Sequence, residues 1–447
     1  MTAPNPQPDR GVAGRSRQER SVLRTASRGA WLAACRHRQS RRAAWRRDVP
    51  VLAPQAPLVL GRFDLALLDG VRLVVVSPGV SLQEPICVAA RERGLELLGD
   101  IELFARAADA PVIGVTGTNG KSTVTTLVGQ MAERAGIRVR VGGNLGTPAL
   151  DLVSGAAPEL YVLELSSFQL ETTITLRLSA ATVLNLSADH MDRYPDMADY
   201  AAAKARIFAR CGTAVINADD PYVPDMVRGG QRVRSFSVAA GGAANYRLER
   251  RAGGNWLVCD GEPLLEQSAL RIAGLHNTAN ALAALALGDA AGLPRPAMLA
   301  TLREFAGLAH RSQWVAEVGG VRYVNDSKGT NVGATVAAID GLPGALVLIA
   351  GGDGKGQDFG PLAAACRERV RVAVLIGRDA PRIDAVLAGV CPTVSCGTLE
   401  DAVHAAARCA QPGDTVLLSP ACASLDMFRD YAHRGDVFVA AVRGLSP

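Results

Sequence analysis

The run Thr116-Gly117-Thr118-Asn119-Gly120-Lys121-Ser122-Thr123 carries the most chemistry in this chain. An apolar stretch ending at Val115 precedes it, and helical text over residues 124–132 follows. A strand, a glycine turn and a helix start make a cradle for a nucleoside triphosphate, because backbone N–H groups in the turn point at phosphate oxygens. Lys121 is placed to neutralise the β- and γ-phosphates, and the hydroxyl of Ser122 or Thr123 to hold Mg²⁺. The standard spacing puts a glycine where this chain has Val115, so the loop is shorter and begins at Gly117. The chain is expected to bind ATP or GTP.

Other residues with chemical potential lie at predicted strand ends. Glu164 closes the apolar run 160–163, and in a phosphate-loop domain that position suits a second metal-binding acid. His190, in Asp189-His190-Met191-Asp192-Arg193-Tyr194, follows another strand. It reads either as a structural histidine or as a neutral imidazole serving a second Mg²⁺, directly or through water. Lys204 lies on an alanine-rich helix, where a lysine is ordinarily a solvated cation. Further on, Asn325-Asp326-Ser327-Lys328 offers a carboxylate for ribose hydroxyls or water and a lysine for phosphate. Gly351-Gly352-Asp353-Gly354-Lys355 is a second glycine turn, suited to an anionic substrate. Arg311, beside His310, sits where an arginine clamps phosphate when domains close. Small residues over 419–426 allow close approach of a ligand, or make a tight strand–helix turn.

These groups need a scaffold of several domains, since 447 residues exceed what one core usually serves. Strands expected at 112–115, 160–164, 181–186 and 214–217 alternate with helices. A second such set follows at 321–325, 346–350, 372–376 and 415–418. Alternation of this kind gives an α/β fold with mostly parallel sheets. A β-rich patch is expected at 233–270, and a helix at 277–291. The division read from the sequence is 1–47, an aberrant Arg-rich segment; 48–108, the rest of a Rossmann-like first domain; 109–306, a central nucleotide domain; and 307–447, a Rossmann-like third domain. No apolar run is long enough to span a bilayer. The nine cysteines are scattered, which favours a reducing cytoplasm over a disulfide framework.

The first segment stands apart. Twelve arginines against Asp9 and Glu19 give residues 1–47 a charge of +10, so the other 400 residues carry −5 of the net +5. The basic character therefore does not argue for nucleic-acid binding by the whole protein. The segment shows no strand alternation and no clean helical stripe. It reads as a targeting presequence, a basic tail, or a stretch translated out of frame. Under one allowed choice of codons, residues 14–24 read one base later give Val-Gly-Leu-Gly-Lys-Ser-Gly-Leu-Ser-Cys, a strand end with a nucleotide-binding glycine turn. The same shift turns residues 36–42 into Val-Thr-Asp-Ser-Arg-Ala, which resembles the acidic end of a second Rossmann strand. Two hits in one frame at βαβ spacing make an out-of-frame stretch over about residues 10–46 the expectation carried forward.

Taken together, the motifs over about 58–447 resemble the Mur ligase family of peptidoglycan synthesis. The resemblance rests on the phosphate loop, on Leu-Glu-Leu-Ser-Ser-Phe-Gln-Leu-Glu around Glu164, and on Asp-His-Met-Asp-Arg-Tyr around His190. It rests also on His276-Asn277 with Asn280, on His310-Arg311, on Asn325-Asp326-Ser327-Lys328, and on Ser-Pro-Ala-Cys-Ala-Ser-Leu-Asp from Ser419. It implies a cytoplasmic, monomeric, ATP-dependent acid–D-amino-acid ligase that adds D-glutamate to UDP-N-acetylmuramoyl-L-alanine through an acyl phosphate. It assigns ATP contacts to Gly117, Thr118, Asn119, Gly120, Lys121, Ser122, Thr123, Asn277, Asn280, Arg311 and Asp326. Two Mg²⁺ ions fall to Ser122, Glu164, His190 and a carbamylated Lys204. Asn144 becomes a substrate contact, and Thr330, Lys355, Ser424, Leu425 and Tyr431 the D-glutamate site. The family commonly has phenylalanine at the place of Tyr431. The larger departure is the first domain, whose UDP-binding glycine turn and acidic strand end appear only in the shifted frame. As written, the chain also reads as an impaired ATP-binding homologue. Rivals are another amino-acid adder of the family, which lacks support from the Ser424-Leu425 stretch, and a folylpolyglutamate synthase, which lacks the motif around His190.

Overall fold

A computed structural model of the chain describes residues 11–13, 31–35, 58–60, 63–227, 229–272 and 274–445. Three short strands, β1 (Gly11–Ala13), β2 (Trp31–Cys35) and β3 (Leu58–Leu60), form a parallel sheet in that order. Two of them fall inside the Arg-rich segment, where the sequence pattern predicts none. Gly-Val-Ala and Trp-Leu-Ala-Ala-Cys are short apolar runs between arginines, below the length at which alternation can be read. Residues 14–24 and 36–42, on which the shifted-frame reading turns, lie outside the described residues. β4 (Leu73–Val75) and β5 (Glu96–Leu98) pair in parallel beside them.

The central sheet has nine strands. They are β6 (Val112–Thr116), β7 (Val139–Gly143), β8 (Leu160–Glu164), β9 (Leu178–Val183), β10 (Cys211–Asn217), β11 (Arg232–Ser237), β12 (Tyr246–Arg251), β13 (Gly254–Cys259) and β14 (Glu262–Glu266). Their order across the sheet is β14-β13-β12-β11-β10-β9-β6-β8-β7. It is parallel from β7 to β12 and antiparallel through β13 and β14. Every residue of β6 and β8 is buried, as central parallel strands covered on both faces require. The helices Lys121–Arg134 and Leu275–Ala290 cover one face. The second is alanine-rich and almost wholly buried on that side, which brings the two helix backbones close. The other face packs Leu150, Leu163, Tyr161 and Phe104 with the helix Met197–Ala205.

β9 ends at Val183, three residues before the strand end expected from the apolar text. The backbone N–H of Leu184 still pairs with Thr116 O at 3.0 Å, but that of Leu186 is taken by the carboxylate of Asp220 at 2.7 Å. The ladder is thus diverted, and residues 184–187 become the loop that meets the phosphate cradle.

The third sheet comprises β15 (Gln313–Val318), β16 (Val321–Asn325), β17 (Leu346–Gly351), β18 (Val370–Ile376), β19 (Thr393–Ser395) and β20 (Thr415–Leu418), ordered β15-β16-β20-β17-β18-β19. It is parallel except for the hairpin of β15 with β16. β7, β15 and β19 have no counterpart in the strands read from the sequence. They are edge strands, where short or polar text suffices. Among the described residues no helix is long and apolar enough to cross a membrane.

Candidate active site

The C-terminal ends of β6, β8 and β9 open onto one edge of the central sheet, where α/β folds place their ligands. The loop after β6 needs glycine at two points. Gly117 has φ 147° and Gly120 has φ 82°, conformations that cost other residues free energy. A Cβ on Gly120 would lie 2.3 Å from Asn280 Oδ1. Asn185 staples the loop from β9: its Oδ1 accepts from Asn119 N (2.8 Å) and its Nδ2 donates to Asn119 O (3.1 Å). No side chain caps the helix starting at Lys121, so its first N–H groups face the cradle, as an anion site requires.

Around this loop the sequence-predicted groups converge. Lys121 Nζ donates to Gly117 O (2.9 Å) and Thr118 O (2.7 Å). Burial pulls its ammonium below the usual lysine range, against the charges of Glu164 and Asp189. Glu164 is 3% exposed. Its Oε2 accepts from Ser122 Oγ at 2.5 Å and its Oε1 from Asn144 Nδ2 at 2.7 Å. Burial alone would raise the carboxyl's pKa, but the Lys121 charge and these two bonds outweigh it and hold the group ionised. The Arg311 guanidinium donates to Ser122 Oγ at 2.6 Å, tying the third segment to this carboxylate. His190 has φ 59° and stands 4.8 Å from the Phe168 ring. Burial pushes its imidazole down to about 4, so it is neutral at pH 7 and able to ligate.

Lys204 corrects the expectation of a solvated cation. It is 2% exposed, because the helix turns Ala198 and Ala202 outward and this lysine inward. Its Nζ donates to Gly117 O at 2.9 Å and lies 4.6 Å over the Tyr200 ring. Among the described residues no carboxylate comes within ion-pair range of it. Burial holds its pKa well below the usual lysine value.

The third sheet closes the cleft. Asp326, just after β16, accepts from Ser419 Oγ (2.7 Å) and Ser312 N (3.1 Å), and burial pushes its carboxyl up to about 6. Lys328 Nζ sits 3.9 Å over the Tyr431 ring. Burial, with Arg311 nearby, brings its pKa down to about 8. The fully buried Arg434 fixes this turn by donating to Ser327 O (2.8 Å), Ser327 Oγ (3.0 Å) and Cys422 O (3.1 Å). Lys355 Nζ pairs with Asp189 at 2.5 Å. Asn331 exchanges hydrogen bonds with Asn119 at 3.1 and 3.3 Å and donates to Asp189 at 3.3 Å.

The result is two cavities that share Asn119, Gly120, Arg311 and Lys328. One, of about 330 Å³, is lined by Thr123, Asn277, Asn280 and Asp326. The other, of about 290 Å³, is lined by Thr118, Lys121, Asn144, Glu164, His190, Lys204, Thr330 and Lys355. Gly117 and Ser122 line neither, but each is bonded to residues that do: Gly117 O accepts from Lys121 and Lys204, and Ser122 Oγ from Arg311. Ser424, Leu425 and Tyr431 line neither cavity. Ser424 is buried, Leu425 is 66% exposed, and Tyr431 backs Lys328. Sequence reasoning gave no role to Asn185, Asp189, Tyr200, Asn331 and Arg434, and read Ser419 only as part of a small-residue stretch. Only the polar text after β9 signalled the first two.

Ser122 and Glu164 are joined by their hydrogen bond, and Glu164 lines the same cavity as the neutral His190; these are donor types that a hard divalent cation accepts together with water and phosphate oxygens. Among the described residues no cluster of three His, Cys, Asp or Glu could hold a metal by itself. These residues therefore fit a cation whose shell is completed by a nucleotide.

Three family models match the chain: a Mur ligase MurD-like N-terminal domain over residues 39–99, the Mur ligase middle domain over 115–288, and the Mur ligase glutamate ligase domain over 310–422. The UDP-N-acetylmuramoylalanine–D-glutamate ligase of Nitrosococcus oceani is 57% identical over 392 residues, 87% of this chain and 86% of that one. The protein of the same name from Pseudomonas savastanoi is 51% identical over 442 residues, covering 97% and 98%. Among solved structures, the UDP-N-acetylmuramate-alanine ligase of Thermotoga maritima matches with TM-score 0.62 at 18% identity, over 98% of this chain and 99% of its own. A folylpolyglutamate synthase from Mycobacterium tuberculosis matches with TM-score 0.58 at 17% identity, over 77% and 93%. At such identities these two likenesses speak for the fold alone. The identity to the curated relatives, sustained over 87% of the sequence and more, shows that the chain belongs to the Mur ligase family.

Proposed function

We propose that this protein is an ATP-dependent ligase that joins D-glutamate to UDP-N-acetylmuramoyl-L-alanine. The observation that carries the reading is one cleft in which a phosphate loop, an ionised buried Glu164 and cations from the third sheet face each other. The relatives that are 51–57% identical bear the name of this activity. In the reaction the alanyl carboxylate takes the γ-phosphoryl group of ATP. The amine of D-glutamate then attacks the acyl phosphate, and phosphate leaves the tetrahedral intermediate.

The cavity lined by Asn277, Asn280 and Asp326 suits the nucleoside, with the loop at 117–123 under the phosphates. Lys121 and Arg311 offset the crowded negative charge where it grows. Bound Mg²⁺ supplies Lewis-acid polarisation of the phosphoryl oxygens, with Ser122, Glu164 and His190 to hold it. Lys204 is buried, has no carboxylate within ion-pair range among the described residues and has a depressed pKa, the state in which a lysine amine is a nucleophile. This supports its conversion to a carbamate, which would give the site a further anionic oxygen ligand and a second metal position. Asn144 is placed for the muramoyl substrate. Thr330 and Lys355 face the anionic amino acid, with Tyr431 behind Lys328; Ser424 and Leu425 join this site only in the proposal, since neither lines the cavity. The proposed division is 48–108 for the UDP substrate, 109–306 for ATP and 307–447 for the amino acid. A monomer working in the cytoplasm completes the reading.

Phosphate release with ATP, Mg²⁺, UDP-N-acetylmuramoyl-L-alanine and D-glutamate, each omitted in turn, tests it. Release that needs all three substrates, with the ligated product seen by mass, is expected. Release indifferent to D-glutamate would overturn it.

A further inference from the structure

Five of the nine cysteines lie in the third segment, at 366, 391, 396, 409 and 422. Sequence spacing brings only Cys391 and Cys396 near each other, but the fold makes a different pair. Cys366 is the last residue of the helix Gly360–Cys366 and is fully buried. Cys391 follows the helix Ala380–Leu387, with its backbone N–H on Leu387 O at 3.3 Å. These two helices lie side by side on one face of the third sheet, and Cys391 packs onto the apolar cluster that contains Cys366. There the two thiols are neighbours, near enough for each to act on the ionisation of the other. Cys396 points into the cluster on the opposite face of the sheet.

From this juxtaposition we propose that Cys366 and Cys391 are an oxidation site, closing to a disulfide when the protein meets a peroxide. The partly accessible Cys391 thiol is the entry point. The neighbouring Cys366 thiol holds the Cys391 pKa below the usual thiol value, and the same contact together with burial raises that of Cys366. The Cys391 thiolate attacks one peroxide oxygen, giving a sulfenic acid and releasing hydroxide, which takes up a proton to leave as water. The Cys366 sulfur then displaces the sulfenic hydroxyl, forming the S–S bond. The thiol proton departs with that hydroxyl as a second water. Two thiols are oxidised and one peroxide is reduced to two waters. The buried partner protects the intermediate from further oxidation, as a resolving cysteine does. The inference is independent of the ligase reading, since neither residue touches the cleft.

The test treats the folded full-length protein with hydrogen peroxide, alkylates the remaining thiols and digests with trypsin. Trypsin leaves Cys366 in the peptide 356–367, and both Cys391 and Cys396 in 383–408. The expected product joins those two peptides with loss of two hydrogens and separates with dithiothreitol. It persists in Cys396→Ser and disappears in Cys391→Ser and in Cys366→Ser, each of which is first shown to be folded by its melting curve. Cys366 remaining alkylatable after oxidation, or an internal Cys391–Cys396 bond in the peptide 383–408, would overturn the proposal. So would survival of the cross-link in Cys391→Ser.

Discussion

Replacing Gly120 by alanine tests the phosphate cradle at its tightest point. The residue has φ 82° and ψ −16°, a left-handed conformation that costs an L-residue about 1–2 kcal/mol. Its new Cβ would stand 2.3 Å from Asn280 Oδ1, so the Asn280 side chain must swing away. That breaks the 3.3 Å hydrogen bond from Asn280 to Asn277, worth about 0.5–1.5 kcal/mol. The total, roughly 1.5–3.5 kcal/mol, falls on the loop geometry that a nucleotide needs. Affinity for a non-hydrolysable ATP analogue, read by calorimetry, is expected to drop about 10- to 400-fold. The control is Gly136→Ala, beyond the other end of the same helix, where φ is 78° and the added Cβ meets nothing within 4 Å. It should lose stability through the left-handed term alone and bind the analogue as before. Wild-type affinity in Gly120→Ala, or an equal loss in Gly136→Ala, would refute the reasoning.

The remaining expectations concern charge and the first segment. Glu164→Gln keeps the shape but cannot accept from Ser122 and Asn144 with full charge. Turnover should fall at least about 100-fold while unfolding free energy changes by about 1–3 kcal/mol; unchanged turnover at saturating Mg²⁺ would remove Glu164 from the metal set. Asp326 ionises above about 6 and Lys328 keeps its charge below about 8, so nucleotide affinity should be greatest between these limits. Both shifts disfavour the charged forms in the folded state. Asp326 therefore lends stability only as pH falls through about 6, and Lys328 only as pH rises through about 8. Asp326→Asn should erase the acid limb of the affinity profile and Lys328→Met the basic one; limbs that stay in place would assign them to other groups. Recoding residues 10–46 in the shifted frame should lower the KM for the UDP substrate and leave ATP binding unchanged, and an identical KM would dismiss the frameshift.

The parts of this site that the sequence disclosed are those whose function is written locally. A glycine turn with Lys121 and Ser122 after an apolar strand has one physical use, and the backbone at Gly117 and Gly120 follows it. Glu164 is equally local, because a carboxylate closing a fully apolar run must emerge at a sheet edge. Lys204 shows the limit. On its helix it has the same spacing as a surface lysine. Only the packing of Tyr200 and Ala203 against the core, on the same helical face, turns it inward.

Contacts between distant segments left no trace in the text at all. Asn119 meets Asn331 across 212 positions, and Lys355 meets Asp189 across 166. Asn119 and Lys355 stand in glycine turns that could be read for a ligand, but nothing in the text gives either of them its protein partner. Their pairing is set by the two sheets, which bring the loop after β16 against that after β6 and the loop after β17 against that after β9. It follows that the chemistry of this cleft is divided: groups that hold phosphate are fixed within one sheet, whereas the cations that complete the charge balance arrive with the other. Lys355 is 17% exposed and already neutralised by Asp189. An anionic substrate must therefore compete with that carboxylate for the ammonium, so its binding is bound up with the contact that holds the two sheets together.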